Sequence, residues 1–257
     1  MTKGGGKSSF FFLHNIYSAT MFWLEVLSKF IIAQKVWAVE AEKPTACIVY
    51  NVKQRPLYDF DTDSSLYKFV APFSSLQNEQ YVPPELVRLE TVGWGNIVVK
   101  NNDGKLRSEA ASALAELAAA FNKQFSKPLV VVSSYRGYAY QKNLLAWYKE
   151  KYGAGRANTF SAKPGFSEHQ LGLAVDLFNA STEWGDWYKD DFAWMRAHAH
   201  EFGFTQSYQK GIDVDGYVVE PWHWRYVGVE LAGYLWENKM TMSEYVKFWW
   251  VWWAVAK

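Results

Sequence analysis

Two short segments carry residues able to hold a metal ion and to work on a water molecule. They are Ser167-Glu168-His169-Gln170-Leu171-Gly172-Leu173-Ala174-Val175-Asp176 and Glu220-Pro221-Trp222-His223-Trp224-Arg225-Tyr226. His169, Asp176 and His223 make up two imidazoles and one carboxylate, the usual set for a catalytic zinc whose fourth position is left to water. Glu220 stands three residues before His223, a placement suited to a general base for that water. A single histidine is more often structural than a ligand. Here two histidines, an aspartate and a glutamate fall in two segments that both read as strands lined with core residues, and together they point to metal-dependent hydrolysis. His198 and His200 lie two apart on a predicted helix, point to different faces and read as structural.

The surrounding elements must position those groups. Leu171, Leu173, Val175 and Leu177 alternate with Gly172, Ala174 and Asp176, so a strand here buries four bulky side chains and leaves a small face around the aspartate. Gly172 permits close backbone approach, and Asp176 would otherwise be an unpaired buried charge. Tyr217–Val227 reads as a second strand, with Trp222, Trp224 and Tyr226 on one face and His223 and Arg225 on the other. Glu220 and His223 would face opposite ways on a straight strand, so Pro221 predicts a bend or bulge that brings them to one site.

Ser108–Phe125 has apolar residues at helical spacing, with Ser108 as N-cap and Pro128 beyond its end. Leu129–Ser134 reads as a strand, Ala139–Lys151 as a helix, 153–166 as a loop and Asp186–Phe202 as a helix closed by Gly203. Arg136, just past the strand end in Ser133-Ser134-Tyr135-Arg136-Gly137, is placed to face a cleft as an electrophilic partner of a substrate carbonyl or carboxylate. Strands and helices mix without βαβ regularity. The expected fold is α+β, a single compact domain with a small, largely antiparallel sheet flanked by helices.

Composition narrows the class. The 257 residues carry 27 basic and 26 acidic side chains for a formal net charge of +1, so nucleic acid is a poor partner. The lone cysteine, Cys47, excludes an intrachain disulfide and removes cysteine-based zinc sites from consideration. Lys3 and Lys7 precede an uncharged, apolar-rich run of 17 residues, Ser8–Leu24. Residues 1–41 read as an export signal or N-terminal anchor, with membrane association through that segment. Residues 42–77 read as an extended arm, 78–247 as the catalytic domain and 248–257 as a Trp-rich tail that packs on the domain or anchors it at an interface.

Ser-x-His-x-x-Gly-x-Ala-x-Asp at 167–176, followed by Glu-Pro-Trp-His-Trp-Arg-Tyr at 220–226, closely resembles the VanY-type zinc D-alanyl-D-alanine carboxypeptidases. Tyr81–Leu89, Leu106–Leu117, Ser133–Gly137 with Gln141, Ala162–His169 and Gly216-Tyr217 match too, so the resemblance covers about residues 80–247. It implies a Hedgehog/DD-peptidase-like fold and zinc held by His169, Asp176 and His223, with Glu220 as base. It also implies that Arg136, Gln141 and Ser167 line the substrate site.

The expected activity is removal of the C-terminal D-alanine from peptidoglycan stem peptides, in the periplasm or elsewhere in the cell envelope. The alternatives are an L,D-carboxypeptidase acting on tetrapeptide stems and a non-catalytic zinc-containing module that binds cell-wall peptide. Glu220 argues against the last, because a structural zinc needs no base.

Overall fold

The computed structural model describes residues 58–92, 95–100, 104–179 and 190–255, all within one compact unit, Lys53–Lys257. The expected export signal or anchor and the first part of the arm lie outside the described residues. Among the described residues no helix is long and apolar enough to cross a membrane.

In chain order the elements are β1 (Leu86–Arg88), α1 (Leu89–Val92), β2 (Ile97–Val99), β3 (Lys105–Arg107), α2 (Ser108–Phe125), β4 (Leu129–Ser133), α3 (Tyr138–Tyr152) and α4 (Ala154–Ala157). Then follow β5 (Ala174–Asn179), α5 (Asp190–His198), β6 (Phe204–Gln206), α6 (Ile212–Asp215), β7 (His223–Tyr226), α7 (Val229–Glu237) and α8 (Met242–Val255). A five-stranded sheet has the order β2-β4-β5-β7-β6. Only the β2–β4 pair is parallel; β4–β5, β5–β7 and β6–β7 are antiparallel. β1 and β3 form a separate antiparallel pair. The largely antiparallel α+β expectation matches this architecture.

α2 spans the predicted residues, and its buried stripe of Ala110, Leu114, Leu117 and Phe121 packs in one cluster with Leu171, Leu173, Val175, Leu177 and Trp224 of the sheet side. Its C-terminal end falls where expected, and its N-terminal cap differs. Ser108 is the first helical residue, and Arg107 takes the cap position without a side-chain cap bond. The helix ends at Ser126, in the left-handed conformation, two residues ahead of Pro128.

Both motif strands are shorter than expected. Glu168–Leu171 forms a 3-10 turn, and β5 begins only at Ala174. All four alternating apolar residues are nonetheless buried, because the turn and the strand present them to the same core. β7 begins at His223, with Pro221-Trp222 in the turn before it. Trp222 therefore does not share the face of Trp224; it packs with Val130, Phe178 and Phe192.

The predicted loop at 153–166 holds the short helix α4, and the expected 186–202 helix is described from Asp190 as α5 followed by a 3-10 turn to Phe202. The stretch read as an arm packs Phe60, Phe69 and Ala71 with Leu231, Leu235 and Val246 of α7 and α8 in a second cluster. Trp249 packs on that cluster, and the Trp250 ring meets Phe69 edge-on at 5.8 Å.

Gly172 ends the 3-10 turn at φ +67°, and a Cβ there would stand 2.8 Å from Leu86 Cδ2. Backbone strain and this contact act together at a position between two proposed ligands. Gly172→Ala is expected to lower the unfolding free energy by about 1–3 kcal/mol, read from the denaturant midpoint. A midpoint equal to wild type would contradict the strain.

Candidate functional site

The sheet brings the first motif to the second. Asp176 on β5 and His223 on β7 are direct cross-strand partners, so their side chains share one face. His169 reaches the same place from the 3-10 turn, its ring 4.9 Å from that of His223. Asp176 Oδ1 lies 3.4 Å from His169 Nε2 and 3.2 Å from His223 Nδ1. One ligand atom from each of the three residues falls within 4.8 Å of the others.

These spacings suit a tetrahedral cation. Metal–ligand bonds of about 2.0–2.1 Å put neighbouring ligand atoms roughly 3.3 Å apart. The remaining imidazole nitrogens are already engaged. His169 Nδ1 donates to the Ser134 carbonyl at 2.8 Å, and His223 Nε2 donates to Glu168 Oε2 at 2.7 Å. Each bond leaves the other nitrogen turned toward Asp176, the arrangement by which outer partners orient metal-binding histidines.

The electrostatics follow from the partners. Burial and the nearby Arg136 push His169 down to about 4. Burial would lower His223 too, but its hydrogen bonds to Asp176 and Glu168 outweigh this and hold it up at about 9. Burial works to raise Asp176, yet His169 and His223 together keep it well below the usual carboxylate range.

Glu220 enters from the turn ahead of β7. Its own carbonyl accepts from the His223 backbone N–H at 3.2 Å, and its N–H donates to the Tyr208 carbonyl at 2.9 Å. The bend predicted from Pro221 is this turn, and it places Glu220 and His223 on the same pocket wall. Burial raises the Glu220 carboxyl to about 8; Asp176 and Glu168 add to the rise, while His223 and Arg136 oppose it. A carboxylate of that basicity is matched to proton transfer near neutral pH.

The pocket, about 20 Å³ in volume, is lined by Arg136, Ser167, His169, Glu220 and His223 together with Tyr208 and Tyr217. A register shift between Val131 and Ser133 sets Ser133 opposite Asp176. Arg136 Nη1 donates to Ser133 Oγ at 2.6 Å and lies 3.5 Å from Asp176 Oδ2. Gln141 is wholly buried behind Arg136 rather than on the pocket wall. Its Oε1 accepts from Arg136 Nε at 2.9 Å, and its amide nitrogen donates to the Ala162 carbonyl at 2.8 Å.

Sequence reasoning passed over Glu168, Tyr208 and the ring of Tyr217. Glu168 is buried, accepts from Ser207 Oγ at 2.6 Å and lies 3.8 Å from Arg225 Nη1. Burial opposes its ionisation, but the His223 hydrogen bond and Arg225 keep its carboxyl below the ordinary value. Tyr208 packs on His223 with ring centroids 4.6 Å apart. The one available signal was an acidic residue inside an otherwise buried stretch, 168–175.

His198 bonds Glu201 at 2.8 Å and His200 stacks on Trp236 at 4.1 Å, both away from this site. A larger cavity of about 500 Å³, lined by Arg196, His200, Trp236 and Met240 among others, holds none of the metal-binding set.

Known proteins resemble this chain over the segment that carries the site. Residues 103–229 match the family described as VanY: D-alanyl-D-alanine carboxypeptidase. A candidate carboxypeptidase of Bacillus subtilis (strain 168), YodJ, is 37% identical over 147 residues, covering 54% of this chain and 53% of that protein. The bifunctional D-Ala-D-Ala dipeptidase and carboxypeptidase VanXYC of Enterococcus gallinarum is 30% identical over 152 residues, covering 56% of this chain and 79% of that protein. The chain thus spans about half the length of the first of these relatives.

Among solved structures, the LdcB LD-carboxypeptidase superposes with a TM-score of 0.64 at 30% identity, covering 72% of this chain and 87% of that one. A mutant of the vancomycin-resistance D,D-pentapeptidase VanY in complex with Zn(II) superposes at 0.56 with 27% identity, covering 69% and 97%.

Proposed function

The chain belongs to the VanY-type D-alanyl-D-alanine carboxypeptidase family, and from that premise we propose that it is a zinc metallopeptidase removing the C-terminal D-alanine from peptidoglycan stem peptides. The observation that carries the proposal is the convergence of His169, Asp176 and His223 beside Glu220 and Arg136. The similar VanY structure that holds Zn(II) supports the choice of metal. Residues 78–247 carry the catalysis in this reading, which places the work outside the cytoplasm, at the cell wall.

His169 Nε2, Asp176 and His223 Nδ1 hold the metal, which when bound supplies Lewis acidity that polarises the scissile carbonyl and acidifies a water. Glu220 takes the proton of the attacking water on its carboxylate and delivers it to the nitrogen of the departing D-alanine. Arg136 faces the anionic oxygens of the substrate, on the terminal carboxylate and on the carbonyl where charge develops. Gln141 and Ser133 keep its guanidinium aimed, because their oxygens accept from two of its nitrogens. Ser167 stands on the pocket wall as a further substrate contact.

The likeness to the LdcB LD-carboxypeptidase favours a second reading, release of D-alanine from a tetrapeptide stem. Both substrates end in D-alanine and differ in the residue before it. Mass spectrometry of pentapeptide and tetrapeptide muropeptides incubated with zinc-loaded protein separates the two. The expected result is loss of one alanine from the pentapeptide alone. Loss from the tetrapeptide alone would establish the L,D activity instead, and cleavage of neither with zinc bound would leave a binding module.

A further inference from the structure

Outward from the catalytic pocket, α3 and the turn that follows α4 carry a run of aromatic rings that the chemistry above does not use. Phe160 stands on the pocket wall beside Arg136, Ser167 and Glu220. Tyr148 meets Phe160 edge-on at 4.9 Å, and Trp147 meets Tyr148 at 5.0 Å. Tyr152 stacks with Tyr148 at 6.1 Å and meets Phe160 at 5.9 Å. Tyr148 is close enough to the site for its phenol to feel the charges of Arg136, Asp176 and Glu220.

The ridge is open to solvent. Trp147 is 49% exposed and Tyr152 38%. Isolated exposed aromatics are ordinary on a protein surface, but a contiguous set that begins on the wall of a pocket is not.

Two cations lie on these rings. Lys151 Nζ is 4.6 Å from the Trp147 centroid and 5.0 Å from that of Tyr152, and the Arg156 guanidinium is 5.4 Å from Tyr152. Among the described residues neither forms a salt bridge with a carboxylate. The rings hold both charges in place, so an incoming anion orders little that is not already ordered. Two ring steps of about 5 Å correspond to roughly three residues of extended peptide. That distance reaches the part of a substrate chain ahead of its scissile bond.

We propose that this aromatic–cationic ridge of Trp147, Tyr148, Lys151, Tyr152, Arg156 and Phe160 is an extended subsite that binds an acidic residue of the substrate peptide a few positions before the terminal D-alanine. The proposal rests on the peptidase reading of the pocket. Charge complementarity and continuity with the pocket fix the occupant as peptide. The rings supply apolar contact for the peptide backbone, and Lys151 and Arg156 supply the counter-charge for its carboxylate.

The test compares stem pentapeptides that carry either a free side carboxylate or its amide ahead of the same D-Ala-D-Ala end. Wild-type protein is expected to prefer the acidic peptide. In the Lys151→Ala/Arg156→Ala double variant that preference, as a ratio of kcat/KM values, is expected to fall about fivefold, with the loss in KM. Equal losses on both peptides, or none, would overturn the proposal. A disaccharide-bearing peptide preferred by wild type, with the preference lost in Trp147→Ala and kept in the charge variant, would also overturn it in favour of a sugar platform. If wild type cleaves neither peptide, the peptidase reading fails by itself. Calorimetric titration of the same two peptides into wild type and the double variant then decides the ridge, since equal affinities throughout would reject it.

Discussion

Glu220→Gln is expected to lower kcat/KM on the D-alanine-terminated peptide by about a thousandfold, while zinc content and fold stay at wild-type levels. The glutamine amide has the size of the carboxyl and lies on the same turn, anchored through backbone bonds to Tyr208 and His223 that the change does not touch. It cannot accept the proton of the attacking water. The loss is expected in kcat, because the side chain acts on the water and the leaving nitrogen and not in holding the peptide. Zinc content is the control that separates a lost base from a lost ligand. A variant that binds zinc and hydrolyses at the wild-type rate would remove Glu220 from the mechanism, and one that loses zinc would make it a ligand.

The second large effect is expected at Glu168. Glu168→Gln should weaken zinc binding about 10–100-fold, measured by competition with a chromophoric chelator. Its carboxylate accepts from His223 Nε2 at 2.7 Å and from Ser207 Oγ at 2.6 Å, and it faces Arg225 at 3.8 Å. Removing the charge weakens the hold on the imidazole that turns Nδ1 toward Asp176, and lowers the basicity of that nitrogen. Glu168→Ala should do more. It leaves Arg225, 1% exposed, without its carboxylate, and breaking a buried pair in this way costs about 3–5 kcal/mol of stability. Ser207→Ala removes one neutral donor and should change zinc affinity much less. Unchanged affinity in Glu168→Gln would reduce Glu168 to a partner of Arg225 alone.

Much of the fold was legible because periodicity is a local property. The apolar spacing of Ser108–Phe125 prescribed a helix with one buried stripe, and the helix forms over those residues. The alternation from Leu171 to Leu177 identified the buried side chains correctly, although the chain reaches that core through a 3-10 turn before β5 starts. Side-chain alternation reports which residues turn inward. It does not say where ladder hydrogen bonds begin, and those depend on a partner strand far away in the chain. For the same reason Trp222, read with Trp224, lies in the turn ahead of β7 and packs elsewhere.

The sequence by itself determined the chemistry-bearing side chains of the two motifs and the bend at Pro221, since residue type and short spacing carry that information. Only the tertiary structure decided what stands behind them. It set Asp176 against His223 across β5 and β7, put Gln141 behind Arg136, and buried Glu168 on an imidazole 55 residues away. Written in a sequence, a carboxylate beside a histidine looks like any solvated charge. Its role appears when packing excludes water and the remaining donors, here His223 and Ser207, must satisfy it beside the charge of Arg225.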